Sequence, residues 1–241
     1  VLCQKYLEPI IMKRKDNPQY LQTGRPFLNK EAESAINRYI EQVRKLNVGN
    51  KTKVGSIIMN CNPMTNGHLH LINTARAQVD LLYVFVVEED KSFFSFNDRF
   101  TMVRNETAHM ENVVVVPSGK FVLSYMTMPL YFEKEEKKSA VLDATDDLKI
   151  FGSYIVPKLD ISIRFVGEEP VDLVTRQYNN TMKTMLPAYG VEVVEIPRFQ
   201  QDGEVVSASL VRQYIKEKKM DMIKKLVPIN VYLYICEKFN S

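Results

Sequence analysis

Residues 54–77 read VGSIIMNCNPMTNGHLHLINTARA, and this stretch decides the architecture. Val54, Ile57, Ile58 and Met59 form an apolar run containing β-branched residues, which predicts a buried strand; Asn62 and Pro63 break it, and helical patterning follows from Asn66. A strand, a tight loop and a helix start point unpaired backbone N–H groups and the positive end of a helix dipole at the carboxyl edge of a parallel sheet. An anion fits there. Gly67 lets a ligand approach the backbone closely, while Thr65 and His68 stand just before and within the first helical turn, so both side chains can face one cluster of phosphate oxygens.

Working outward, apolar strand-like runs recur at residues 80–88, 112–117, 161–166 and 191–196, and helical periodicity at 29–46, 96–109, 143–159, 171–186, 207–219 and 221–236. Strands alternating with long helices predict an α/β fold, a Rossmann-like, doubly wound parallel sheet covered on both faces. Residues 118–142 are less regular. Residues 1–50 read as an N-terminal linker, with Lys13-Arg14-Lys15, Pro18 and Gly24-Arg25-Pro26, followed by a helix with Ala32, Ala35, Ile36, Ile40 and Val43 on one face. Residues 51–241 then form the main domain with its C-terminal helices. The chain begins at Val1, which reads as part of something longer.

Composition narrows the functions. The 241 residues carry a formal net charge of +3 with Lys and Arg scattered, so no nucleic-acid groove is expected. The apolar runs fall short of the ~20 residues a membrane helix needs, and no membrane partner is expected. Cys3, Cys61 and Cys236 show no C-x-x-C spacing and read as reduced thiols in a cytoplasmic setting. His70 lies two residues from His68 and points to another side of the helix, so the two cannot share a metal; packing or capping is its expected role. With His109 the only other histidine, no metal ligand set is predicted.

Ligands of such sheets bind beyond the carboxyl ends of the strands, near the point where strand order reverses. Three further stretches should converge there. Lys91 directly follows the second strand and suits charge neutralisation at a phosphate; Arg99, further on, sits in a helix interior where pairing with a carboxylate is expected. In residues 165–170, FVGEEP, Gly167 permits close approach and Glu168 or Glu169 can accept from ribose hydroxyls, unless the segment is a plain turn with Pro170 opening a helix. In residues 206–212, VSASLVR, Ser207 is a helix N-cap, Ser209 lies in the first turn, and Arg212 can reach a polyphosphate in fork geometry.

The T-x-G-H of residues 65–68, preceded by Asn62-Pro63, resembles the (H/T)-x-G-H signature of the nucleotidylyltransferases, in which the Thr and His hold nucleotide phosphates. VSASLVR resembles the I-S-S-T-x-x-R element of that superfamily, with Ala208 where a serine is common; K-x-x-F-x-x-x-D-R at 91–99 resembles the lysine loop of phosphopantetheine adenylyltransferases. Taken with FVVEEDKSFFSFNDRF, KFVLSYMTMPLYF and the segment from Arg164 to Arg198, the chain is similar to the adenylyltransferase domain of the citrate lyase ligase family. The resemblance implies a ligase that uses ATP with Mg²⁺ and acetate, or another small carboxylate, to acetylate the prosthetic-group thiol of the citrate lyase acyl carrier subunit, releasing AMP and pyrophosphate. It implies catalytic roles for Thr65, His68, Lys91 and Arg212, and nucleotide binding by Asn62, Thr65, Gly67, His68, Gly167, Glu168, Ser207, Ser209 and Arg212. Members of that family usually carry an acetyltransferase-like domain first, of which residues 1–50 hold at most the tail. An adenylyl- or cytidylyltransferase acting on a phosphate or alcohol acceptor would use the same three elements, and so would a nucleotide-binding regulatory module.

Overall fold

The computed structural model describes residues 28–46, 51–88, 92–123, 144–170, 172–201 and 204–239. Helix α1 (Lys30–Arg44) starts at Asn29, whose side chain accepts from the Ala32 N–H at 2.8 Å, and it buries Ala32, Ile36, Ile40 and Val43, the face its periodicity predicts. Strand β1 (Val54–Met59) leads through the signature loop into α2 (Asn66–Arg76). There follow β2 (Leu81–Val86), α3 (Phe96–Thr107), β3 (Val113–Pro117), β4 (Ile161–Gly167), preceded by α4 (Thr145–Ile150) and α5 (Val156–Leu159), then α6 (Leu173–Met185) and β5 (Glu192–Ile196). A short hairpin, β6 (Gln200–Gln201) with β7 (Glu204–Val205), precedes α7 (Ala208–Lys216), α8 (Met220–Lys224) and α9 (Ile229–Phe239).

The sheet order is β3-β2-β1-β4-β5, and every pairing is parallel. Strand order therefore reverses between β1 and β4, which opens a crevice beyond their carboxyl ends. All six residues of β2 are buried, because helices cover both faces. One core lies under α1, α4, α5 and α6; the other lies under α2, α3, α7 and α9. Helix α1 is joined to the sheet by its Tyr39 hydroxyl, which donates to the Pro117 carbonyl at 2.7 Å.

Three helices are less continuous than their periodicity suggests. The helix expected over 143–159 is split by a π-turn at Phe151–Ile155, where Gly152 lies so close to the Tyr189 ring that an added Cβ would approach it to 2.5 Å. The 171–186 helix begins only at Leu173, capped by Asp172 at 3.1 Å to the Thr175 N–H, so Pro170 precedes the cap rather than opening the helix. The single helix expected over 221–236 is two, since Pro228 has no N–H to continue the first and instead leads into α9. The pairing of β6 with β7 had no signal strong enough to be expected. The linker at residues 1–27, Cys3 included, and most of the irregular 118–142 segment lie outside the described residues. No helix among the described residues is long and apolar enough to cross a membrane.

Candidate active site

The signature loop folds as a reciprocal cap. The Thr65 hydroxyl accepts from the His68 N–H at 3.4 Å, and the Thr65 N–H donates to His68 Nδ1 at 3.0 Å. A backbone N–H can only donate, so Nδ1 must accept and the neutral ring carries its proton on Nε2. Burial and then the positive charge of Arg198 push the His68 pKa down to about 4, so the ring is neutral at pH 7. The same bond that closes the helix start thus turns His68 into a hydrogen-bond donor at Nε2. Thr65 is buried and acts first on His68, a division of labour that spacing alone did not show.

Two helix starts face one cleft of about 370 Å³ at the switch point. Thr65, Gly67 and His68 line it from α2, and Ser207, Ala208 and Ser209 line it from α7. Ser207 caps α7 as expected, accepting from the Leu210 N–H at 3.2 Å. At α2 the Asn66 N–H is taken by the Leu226 carbonyl at 2.9 Å and the His68 N–H by Thr65. Two positive dipole ends converging on one space favour a multiply charged anion. The glycines agree. A Cβ built on Gly67 or Gly167 would come no closer than 3.5 Å or 3.8 Å to any protein atom, and neither residue has positive φ. Protein packing and backbone conformation therefore do not require glycine at these positions, and its value there is space for a ligand.

The remaining residues fall into three groups. Glu168 lies at the cleft but is exposed, with its Oε2 accepting from the Arg198 N–H at 3.2 Å; Glu169 is ion-paired to the Arg198 side chain. Asn62 and Arg212 are joined to each other and to the cleft wall: Arg212 donates from Nη1 to the Asn62 carbonyl at 2.6 Å and from Nη2 to Ser209 Oγ at 3.0 Å. The fork that sequence reasoning assigned to phosphate is thus also the tie that joins the start of α7 to the β1–α2 loop. Lys91 lies outside the described residues. The segment after it is held by the Phe94 N–H donating to Asn62 Oδ1 at 3.0 Å.

Arg99 is held by contacts that span three segments of the chain. Its buried guanidinium donates to the carbonyls of Asn60 (3.0 Å), Val87 (2.7 Å) and Phe94 (3.2 Å) and to Asn60 Oδ1 (2.8 Å). It gathers the carboxyl ends of β1 and β2 and the start of α3 around one charge. Helix α9 braces the same region from outside: Lys238 and Tyr234 donate to Asp98 at 2.8 Å and 2.5 Å, and Phe239 stacks on Phe93 at 5.7 Å. Burial raises the Asp98 pKa, but the hydrogen bonds from Lys238, Tyr234 and Ser95 outweigh it and hold the carboxyl at about 2. His70 packs on Phe199 at 5.2 Å, as a packing role predicts, and both rings line the cleft.

Because Arg212 serves two acceptors through a planar fork, Arg212→Lys should weaken ATP binding roughly tenfold despite keeping the charge. Isothermal calorimetry reads this directly. Unchanged ATP affinity in both Arg212→Lys and Arg212→Ala would remove the residue from nucleotide binding.

A five-stranded parallel sheet in this order, opening on a T-x-G-H helix start, defines the class as a nucleotidylyltransferase of the HIGH-type superfamily. The chain belongs to the citrate lyase ligase C-terminal domain family, whose sequence profile matches residues 54–235. It is 36% identical over 221 residues to the citrate (pro-3S)-lyase ligase of Klebsiella pneumoniae, covering 90% of this chain and 64% of that protein. To the enzyme of the same name from Escherichia coli strain K12 it is 38% identical over 218 residues, covering 88% of this chain and 61% of the relative. A phosphopantetheine adenylyltransferase of Streptococcus gordonii is 29% identical over 113 residues, covering 45% of this chain and 69% of that one. The chain thus spans between 61% and 64% of the length of these two ligases.

Proposed function

We propose that this chain carries the nucleotidyl-transfer chemistry of a citrate lyase ligase. A carboxylate oxygen of acetate, or of another small carboxylate, attacks the α-phosphorus of ATP; the bond to the bridging oxygen of the β-phosphate breaks, and pyrophosphate leaves. The prosthetic-group thiol on the citrate lyase acyl carrier subunit then attacks the acyl carbon of the acyl adenylate, the thiol proton is lost, and AMP departs. The observation that carries this reading is the convergence of two capped helix starts and a neutral, Nε2-protonated His68 on one cleft, in a chain of this family.

Acetate is anionic at pH 7, so its attack needs no general base. What the step needs is positioning and relief of charge on the departing phosphates. His68 donates from Nε2, the starts of α2 and α7 supply dipole and N–H donors, and Gly67 and Gly167 leave room for the nucleotide. Arg212 and Asn62 hold the α7 wall in register with the loop, and Lys91, by the family pattern, neutralises the α-phosphate. Mg²⁺ would be held largely by the nucleotide phosphates and water. When bound there it would neutralise phosphate charge. Glu168 offers a carboxylate to the ribose hydroxyls. The free thiols of Cys61 and Cys236 support a cytoplasmic setting.

The test supplies ATP, acetate and the acyl carrier subunit with its prosthetic thiol, and reads the carrier by mass spectrometry. An acetyl adduct formed with AMP release is the expected result. Pyrophosphate release only with a phosphate or alcohol acceptor would reassign the chain to the broader nucleotidylyltransferase reading, and ATP binding without turnover to a regulatory module.

A further inference from the structure

Arg198 lies two residues beyond β5, on the cleft wall, and nothing in the signature motifs points to it. Its Nη1 pairs with Glu169 Oε1 at 2.5 Å, with side chains only 21% and 18% exposed. Its backbone N–H is held by Glu168, and Glu169 is itself held by the Asp172 N–H at 3.0 Å, so the arginine is anchored at both ends. Among the described residues its Nε and Nη2 make no other hydrogen bond. A structural ion pair here would be complete with one nitrogen; an arginine leaves the rest of a planar donor fork facing a cleft already lined by two helix starts. Its charge reaches His68, since it is the second cause, after burial, of the lowered imidazole pKa.

We propose that Arg198 is a further phosphate-binding residue, which keeps Glu169 on one edge of its guanidinium and takes the β- and γ-phosphates of the nucleotide on the other, opposite His68. This deepens the proposed function and rests on that reading of the cleft. Glu169 is then a positioning residue that aims the fork and lowers the cost of holding a cation beside His68 in the empty cleft.

The test compares ATP and adenosine affinities by calorimetry in the wild-type chain and in His68→Ala, Arg198→Gln and Glu169→Gln. Arg198→Gln should weaken ATP about tenfold or more and leave adenosine unchanged, while Glu169→Gln, which frees the fork it aims, should weaken ATP severalfold and also leave adenosine unchanged. The NMR titration of His68 should move to higher pH in Arg198→Gln but stay below that of a free imidazole, because burial still lowers it, and wild-type chemical-shift dispersion shows that the variant is folded. If it does not fold, Arg198→Lys, with charge kept and fork lost, takes its place and should weaken ATP severalfold. Equal losses of ATP and adenosine in Arg198→Gln and Glu169→Gln would reduce the pair to a tie between loops and overturn the proposal. So would ATP affinity unchanged in Arg198→Gln while His68→Ala slows turnover as expected, an outcome that leaves the proposed function standing. A wild-type chain that binds no ATP overturns both.

Discussion

Replacing His68 by alanine should lower kcat about a hundredfold or more and change KM for ATP far less. The reason lies in the timing of charge. On the proposed function, the bound polyphosphate already has dipoles and N–H groups from two helix starts in the ground state; as pyrophosphate departs, negative charge would grow on the oxygens facing Nε2, and a fixed neutral donor would gain most at that moment. The donor costs little to hold ready, because Thr65 fixes the tautomer through Nδ1 and the low pKa keeps the ring neutral. Alanine removes the donor and also opens the capping box, so melting temperature should be recorded alongside kcat. Near-normal kcat in a folded His68→Ala enzyme would exclude the residue from the reaction.

The largest loss of stability is expected for Arg99→Met. The guanidinium has 0% exposure and serves three carbonyls and the Asn60 side chain, so an unbranched apolar side chain that replaces only its stem leaves buried acceptors without donors. Each unsatisfied group costs about 1–3 kcal/mol, which puts the total at about 3 kcal/mol or more even when Asn60 re-pairs. Urea denaturation should show this as a lower midpoint at constant slope. Loss of less than about 0.5 kcal/mol would mean that the three chain segments hold together without the charge. Asn60 lines the cleft and Phe94 follows Lys91, so the folded fraction should also bind ATP less tightly.

The sheet was legible because its strands are predominantly apolar runs between turn residues, most fully in the LLYVFV of β2, and because helix periodicity is unaffected by which face it covers. The two helix starts that line the cleft were legible for a local reason: Thr65 with His68, and Ser207 with Leu210, make their caps within three residues. Longer-range features were not. Arg99 meets Asn60 across 39 residues and Arg198 meets Glu169 across 29, and no spacing within either segment records the partner. Arg198 did leave one usable signal: it follows the fifth strand at the carboxyl edge of the sheet, as Lys91 follows the second. Arg212 was read as a phosphate fork from its motif; that it also ties Asn62 to Ser209 is visible only in three dimensions. The break at Pro228 and the π-turn at Gly152 show the opposite failing, where periodicity ran on through residues that interrupt the helix.

The central claim is that a carboxylate attacks the α-phosphorus of ATP in this cleft without a protein nucleophile. Such a step is reversible, and forming the acyl adenylate requires no thiol. Labelled pyrophosphate incubated with ATP and the protein alone should therefore enter ATP when acetate is added and not before, with the exchange reduced about a hundredfold in His68→Ala. Exchange that proceeds equally without any carboxylate, or that is absent with acetate while ATP binds tightly, would contradict it.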